Sequence, residues 1–379
     1  MQVPFHRPFI SKDDIDGVVE SLREGWITMG EKTIQFEKKF ADYIGSSHAV
    51  AVNSATAALH LALKAVGLKE GDEVIIPAMT FVASAEVVRY FGARPVFVDI
   101  DKGTHLMQVE KIEEKITEKT RVIMPVHYAG QPCDMDGIVQ IAEKYDLFVI
   151  EDAAHSLPAW YKEKKIGTMG DITCFSFYAT KTLTTGEGGM VVTNNGEWAD
   201  RIRVLRLHGI SKDAWKRYSS AGSWKYDVLE TGYKYNTTDI CAALGLTQLK
   251  KLESMWHARE EIANRYNGSF RENPGLIVYE VKSDRRSSWH LYPLKLDPSV
   301  LRIGRDDFIE TMKKRGIGTS VHFIPLYLFT CYRDMGYISK DYPNTDWVFD
   351  RIVSLPIFPG MKKEEVDYVI DNTLDIITS

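Results

Sequence analysis

The chain has 379 residues, more than one hydrophobic core usually organises, so a large domain with a smaller companion is expected. Hydrophobic residues make up 44% and charged residues 26%, which excludes a disordered or fibrous protein. A net charge of -5 argues against a general nucleic-acid binder, whose phosphate contacts need a basic face.

The N-terminus, MQVPFHRPFISKDD, lacks a basic stretch followed by an apolar run. No uncharged stretch is long enough to span a bilayer, so no membrane association and a cytoplasmic location are expected. Next come five short, β-branched runs: HAVAV ending at Val52, DEVIIP, RPVFVDI, RVIMPVH and LFVIED. They predict strands that are parallel and buried on both faces. Helical patterns over 56–66, 83–91, 109–116 and 135–145 supply the crossovers that parallel pairing demands. The alternation means an α/β fold. Past Asn236 the pattern changes to a long helical stretch over 238–266, then strands near 276–281 and 288–296. A second, smaller α/β domain is expected there, dividing the chain into 1–250 and 251–379. Cys133, Cys174, Cys241 and Cys331 have no metal-type spacing, and buried free thiols are expected rather than disulfides or a zinc site.

Ligands in a doubly wound sheet bind outside the carboxyl ends of strands, and three segments there carry chemistry. In VNSATAALHLAL, a strand stops and Ser54, Ala55 and Thr56 open a helix whose free N–H groups suit a phosphate. Plain N-capping by Ser54 or Thr56 is the competing reading. VIEDAAHS sets Asp152 directly after a strand and His155 three residues on. A buried acid there needs a cation such as a protonated pyridine nitrogen, although it could equally cap the next turn. FSFYATKTLTTGEGGMVVTNN places Lys181 among small and hydroxylated residues, before Gly186, Gly188, Gly189 and a strand. Shielding from water beside a cationic ring would give a lysine the neutral amine that Schiff-base chemistry needs. The Ser176 and Thr180 hydroxyls can bond a phosphate or ring oxygen. A lysine at a loop rim, with glycines serving turns, is the alternative. GEGG lacks the spaced lysine and hydroxyl of a phosphate-binding P-loop, and no GxGxxG follows the first strand.

Together these segments resemble the DegT/DnrJ/EryC1/StrS family of sugar aminotransferases, within the fold type I pyridoxal-phosphate enzymes. The resemblance runs nearly end to end. It passes through GWITMG, VNSATAALHLAL, IIPAMTFVAS, VDID, PVHYAG, VIEDAAHS, FSFYATKTLTTGEGG, LHGI, GYKYNTTDICAALGLTQL, GIGTSVHF and SLPIFPGM. Within the family the chain is most similar to enzymes forming UDP-4-amino-4-deoxy-arabinose and related 4-amino nucleotide sugars.

The resemblance implies a mostly parallel central sheet with a smaller C-terminal α/β domain. It implies that Lys181 holds pyridoxal 5'-phosphate as a Schiff base and shuttles the proton, while Asp152 pairs with the pyridine nitrogen. His155 would contact the ring-oxygen region and Phe81 would stack on the ring. Ala55, Thr56 and Ser176 match phosphate-binding positions. Asn236 matches an asparagine that reaches the phosphate from the neighbouring subunit, so a homodimer with shared sites is implied. Trp26, Thr28, Tyr178, His322 and Tyr327 are candidates for contacting the sugar and nucleotide. Phe81 departs from the subgroup's usual tryptophan, and Tyr178 stands where that subgroup can carry histidine. The implied reaction moves an amino group from L-glutamate to the keto carbon, C4, of a nucleotide-linked keto sugar. Amination at C3 and a non-catalytic role on the same scaffold remain alternatives. A dehydratase, in which histidine replaces the lysine, is disfavoured by Lys181.

Overall fold

The structure, a computed structural model, describes residues 1–211 and 225–378. Strands β1 (His48–Val52), β2 (Glu73–Pro77), β3 (Arg94–Val98), β4 (Thr120–Ile123) and β5 (Phe148–Asp152) lie on the five β-branched runs. The short β6 (Trp160–Tyr161) and β7 (Lys164–Lys165) follow, then β8 (Ile172–Ser176) and β9 (Gly189–Thr193). Seven of these form one sheet in the order β1-β9-β8-β5-β4-β2-β3. From β8 through β3 every pairing is parallel. β9 runs antiparallel to both β8 and β1. The expectation that β1 pairs in parallel is thereby corrected. The Lys181 loop returns directly from β8 without a crossover helix, so β9 enters antiparallel and separates β1 from the rest.

Helices α1 (Lys12–Glu24) and α2 (Glu31–Ile44) precede β1, while α3 (Ala55–Ala65), α4 (Ala83–Arg89) and α5 (Met135–Tyr145) follow β1, β2 and β4. The sheet is buried on both faces. Ile75 of β2 packs into one apolar cluster with Phe40 and Phe175, whereas its neighbours Val74 and Ile76 pack into another with Leu59 and Val191. The helix expected over 109–116 is instead two 3-10 turns, Val109–Lys111 and Glu113–Lys115. Ile112 alone is buried there and no side chain caps the start, so the segment has neither an apolar stripe nor a nucleus to propagate a helix.

After β9 comes α6 (Gly196–Leu205), and the single helix expected over 238–266 is two, α7 (Asp239–Lys250) and α8 (Leu252–Phe270). The backbone leaves the helical region at Lys251, with φ at -116°. The Lys251 ammonium is held by the Asp14 carboxylate and, at 2.6 Å, by Ser11 at the start of α1. The remaining elements are β10 (Leu276–Val278), β11 (Arg285–Arg286), β12 (Tyr292–Leu296), α9 (Arg305–Lys314), α10 (Thr330–Arg333), α11 (Pro343–Phe349), β13 (Ile352–Leu355) and α12 (Lys363–Thr378). β10, β12 and β13 form an antiparallel sheet, so the strands expected over 276–281 and 288–296 are present but shorter. β11 pairs with β6 and ties this part back to the segment after β5.

All four cysteines are free, Cys133 and Cys174 are buried, and Cys331 is exposed rather than buried as expected. Among the described residues no helix is long and apolar enough to cross a membrane.

Candidate active site

Because β9 alone is reversed, the carboxyl ends of β1, β5 and β8 share one edge of the sheet. The three chemistry-bearing segments follow these ends and enclose a cavity of about 440 Å³. On its α3 side, Ser54 is the N-cap and its Oγ accepts from Ala57 N at 3.1 Å. The capping reading therefore holds for Ser54, and Ala55 and Thr56 line the cavity. First-turn N–H groups have no partner within a helix, so this end offers donors and a favourable dipole to an anion. Ser176, at the end of β8, lines the same space.

Glycines set the spacing of this wall. Gly186 turns the loop with φ at +79°, and Gly189 brings β9 against the start of α3. A Cβ on Gly189 would stand 2.5 Å from the Ser54 carbonyl carbon and oxygen and 2.8 Å from the Ala55 nitrogen. Here the glycines permit a turn and a close approach of two backbone segments.

Asp152, the last residue of β5, is buried. Its Oδ2 accepts from Ser84 Oγ at 2.7 Å and its Oδ1 from Ala154 N at 3.2 Å. Burial pushes its carboxyl above the ordinary value, while those two donors and the Lys181 charge pull it back. Lys181, half-buried in the β8–β9 loop, is drawn down to about 7, chiefly by burial. Asp152 opposes that shift and the Arg259 guanidinium adds to it. An appreciable fraction of the amine is therefore neutral and nucleophilic near neutral pH.

His155 also lines the cavity, its ring 5.8 Å from Phe323 in a stacked arrangement and its Nδ1 buried without a partner. His322 bonds Ser354 Oγ through Nδ1 at 2.9 Å and is lowered to about 4 by burial. Phe81 and Tyr178 stand exposed at the rim, with the Phe81 ring 6.0 Å from Phe323.

Four residues anticipated for the site lie off this wall. Trp26 donates its indole N–H to Met29 O at 3.0 Å, and Thr28 is exposed with its carbonyl bound to Asp239 N at 3.0 Å. Tyr327 is buried in an apolar cluster, stacked on Tyr342 and donating to Asp346 Oδ1 at 2.6 Å. That contact occupies the hydroxyl expected to face substrate. Asn236 bridges to Val52 beyond the cavity, donates to Thr237 O at 2.9 Å and leaves its Oδ1 buried without a partner.

His290, Phe323 and His6 line the cavity as well. No local pattern in SSWHLYPL or at the N-terminus pointed to His290 or His6, because both segments reach the site only through the tertiary fold, whereas Phe323 closes GIGTSVHF beside the anticipated His322.

The chain belongs to the DegT/DnrJ/EryC1/StrS aminotransferase family, whose model matches residues 8–373. It is 55% identical over 377 residues to the uncharacterised protein MJ1066 of Methanocaldococcus jannaschii, covering 99% of this chain and 98% of that one. It is 50% identical to the spore coat polysaccharide biosynthesis protein SpsC of Bacillus subtilis, covering 99% and 97%. Among solved structures it superposes on Spr1654 of Streptococcus pneumoniae, a candidate sugar aminotransferase in its PMP form. The TM-score is 0.94, with 37% identity and 100% and 99% of the two chains covered. The same protein in its PLP form gives a TM-score of 0.93. The mostly parallel α/β architecture is the one these aminotransferases share.

Proposed function

We propose that this protein is a pyridoxal-phosphate-dependent aminotransferase that moves an amino group from L-glutamate to the C4 keto carbon of a nucleotide-linked sugar. The observation that carries this reading is one cavity holding the Lys181 amine, the buried Asp152 carboxylate and the open start of α3. Those groups fit the cofactor by donor chemistry. Lys181 would attach its aldehyde, Asp152 would hold its ring nitrogen, and Ala55, Thr56 and Ser176 would take its phosphate. His155 lines the same space, and its unpartnered Nδ1 would suit a ring substituent. Bound there, pyridoxal phosphate supplies an electrophilic carbonyl and an electron sink.

The chain's own residues then handle the proton. Lys181, once displaced, takes a proton from the donor α-carbon at Nζ and later returns one to the sugar carbon. Asp152 stays ionised against the ring, and the aromatic rim of Phe81, Tyr178 and Phe323 limits access of water. Glutamate leaves as 2-oxoglutarate, and the keto sugar loses its oxygen as water and gains the amine. In a homodimer, Asn236 would serve the neighbouring chain's site, which accords with its place outside its own cavity. We place the enzyme in the cytoplasm, where nucleotide sugars are made. SpsC and Spr1654 support the sugar class by their descriptions. A coupled assay for 2-oxoglutarate with UDP-, GDP- and dTDP-linked 4-keto sugars tests the reading. Turnover with the UDP sugar and nitrogen on C4 by NMR are expected. No turnover with any keto sugar would overturn the proposal, and nitrogen on C3 would overturn the regiochemistry.

A further inference from the structure

Lys181 meets a group that none of the steps above uses. Its Nζ lies 3.2 Å from His290 Nε2. His290 arrives from the segment before β12, remote in sequence from the loop that bears Lys181. The two are held in register by one buried guanidinium, that of Arg259 on α8. Arg259 donates to the carbonyl of Thr180, the residue before Lys181, at 3.4 Å. It also donates to the carbonyls of His290 at 3.2 Å, Trp289 at 3.3 Å and Ile357 at 2.8 Å. The His155 ring packs 4.4 Å from the His290 ring and restricts its rotation.

We propose that His290 holds the free amine of Lys181, its Nε2 accepting one N–H so that Nζ stays aimed into the cavity whenever it is not covalently engaged. The proposal rests on the reading of Lys181 as the cofactor lysine. It assigns His290 an orienting contact with the reacting nitrogen and no proton-carrying step. An ammonium can only donate, so while Lys181 is charged the Nε2 must be bare and the ring proton must sit on Nδ1, which is buried without a partner, so the contact to Nζ has to offset that unpaired N–H. Burial, the Lys181 charge, His155 and the Arg259 charge all hold His290 well below the ordinary imidazole value, so the ring stays neutral. The other charged or titratable groups that face Lys181 are few. Asp152 favours its charged form, Arg259 disfavours it, and His6, His155 and His322 are themselves kept neutral by burial. Glu187, exposed on the same β8–β9 loop, also lines the cavity. An acceptor on Nζ therefore adds to Asp152 in favouring the charged amine, and its removal lowers the proton affinity of Lys181.

The test uses the full-length protein stripped of cofactor. The rate at which acetic anhydride labels Lys181, followed by peptide mass spectrometry across pH, reports the midpoint at which the amine loses its proton. His290→Phe removes the acceptor and is expected to lower that midpoint by about one unit, a tenfold loss of proton affinity. His290→Gln keeps an acceptor oxygen at similar reach and is expected to stay within about 0.3 unit of the wild type. An unmoved midpoint in His290→Phe, or equal shifts in both variants, overturns the proposal. Should His290→Phe fail to fold, 15N spectra of the wild-type imidazoles at about pH 6 decide without a variant. A bare Nε2 with the proton on Nδ1 supports the contact, and an Nε2–H or a doubly protonated ring overturns it. Lys181→Ala separates the two readings. Surviving transfer in that variant overturns both, whereas a dead Lys181→Ala with an unmoved His290→Phe midpoint overturns only the role of His290.

Discussion

Replacing Gly189 by alanine adds one methyl group at the point where β9 meets the start of α3. An ideal Cβ there would lie 2.5 Å from the Ser54 carbonyl carbon and oxygen. Carbon contacts settle near about 3.5–4 Å, so the two segments must part by about 1 Å. Neither side yields easily. β9 is bound on both edges, by β1 and β8, and the first turn of α3 is fixed by the Ser54 cap. Forcing one extra carbon into a packed core costs about 1–3 kcal/mol, and with backbone on both sides the upper end applies. The displaced turn carries Ala55 and Thr56. A shift of about 1 Å takes an N–H···O contact from about 2.9 Å to beyond hydrogen-bond reach. Gly189→Ala should therefore lose about 3 kcal/mol in urea unfolding of the cofactor-free protein, and bind pyridoxal phosphate at least about tenfold more weakly by absorbance titration. Unfolding within about 0.5 kcal/mol of the wild type would refute the packing argument. Normal cofactor affinity in a destabilised variant would refute the phosphate role of the α3 start instead.

Three further outcomes are expected. Asp152→Asn should keep the cofactor but slow transfer by about 100-fold or more in single-turnover absorbance measurements, and turnover within a few-fold of wild type would show that Asp152 is not the ring partner. His60, clear of the cavity and packed among Tyr90, Phe91, Tyr233 and Tyr235, is lowered by burial to about 4. The unfolded chain takes up a proton near 6.5 that the folded chain refuses, so stability is lost as pH falls from about 6.5 to about 4, and His60→Phe should flatten that slope in urea unfolding. In the proposed homodimer Asn236→Asp would set a carboxylate against the phosphate and Lys181→Ala would remove the amine, so dimers of either variant alone should be nearly dead. Co-expression should return about a quarter of wild-type activity, because half the dimers are mixed and one site in each is intact. A verified mixed dimer without recovery would place Asn236 in its own chain's site.

What the sequence discloses about this site is whatever lies within one strand and the turn after it. Five strands were legible because β-branched runs of that length have few other uses, and the carboxyl ends of the first and fifth pointed to Ala55, Thr56 and Asp152, whereas Ser176 and Lys181 stood out by the hydroxylated, glycine-rich segment before MVVT. The features that escaped depend on distant partners. The break falls at Lys251, whose ammonium is paired with Asp14 of α1, a partner that the local periodicity of α7 and α8 does not disclose. Tyr327 reads as a candidate substrate contact until the fold buries it and Asp346 takes its hydroxyl. Single histidines in a strand pattern are most often core residues. His290 joins the site because β12 and Arg259 carry it across the fold to Lys181. The lysine proposed to carry the covalent chemistry lies in the loop after β8, whereas the groups around its amine come from α8, from the approach to β12 and from the end of β5. Motifs can thus identify the lysine without revealing what holds it, and substitutions at Arg259 or His290 should alter the reactivity of Lys181 while leaving every quoted motif intact.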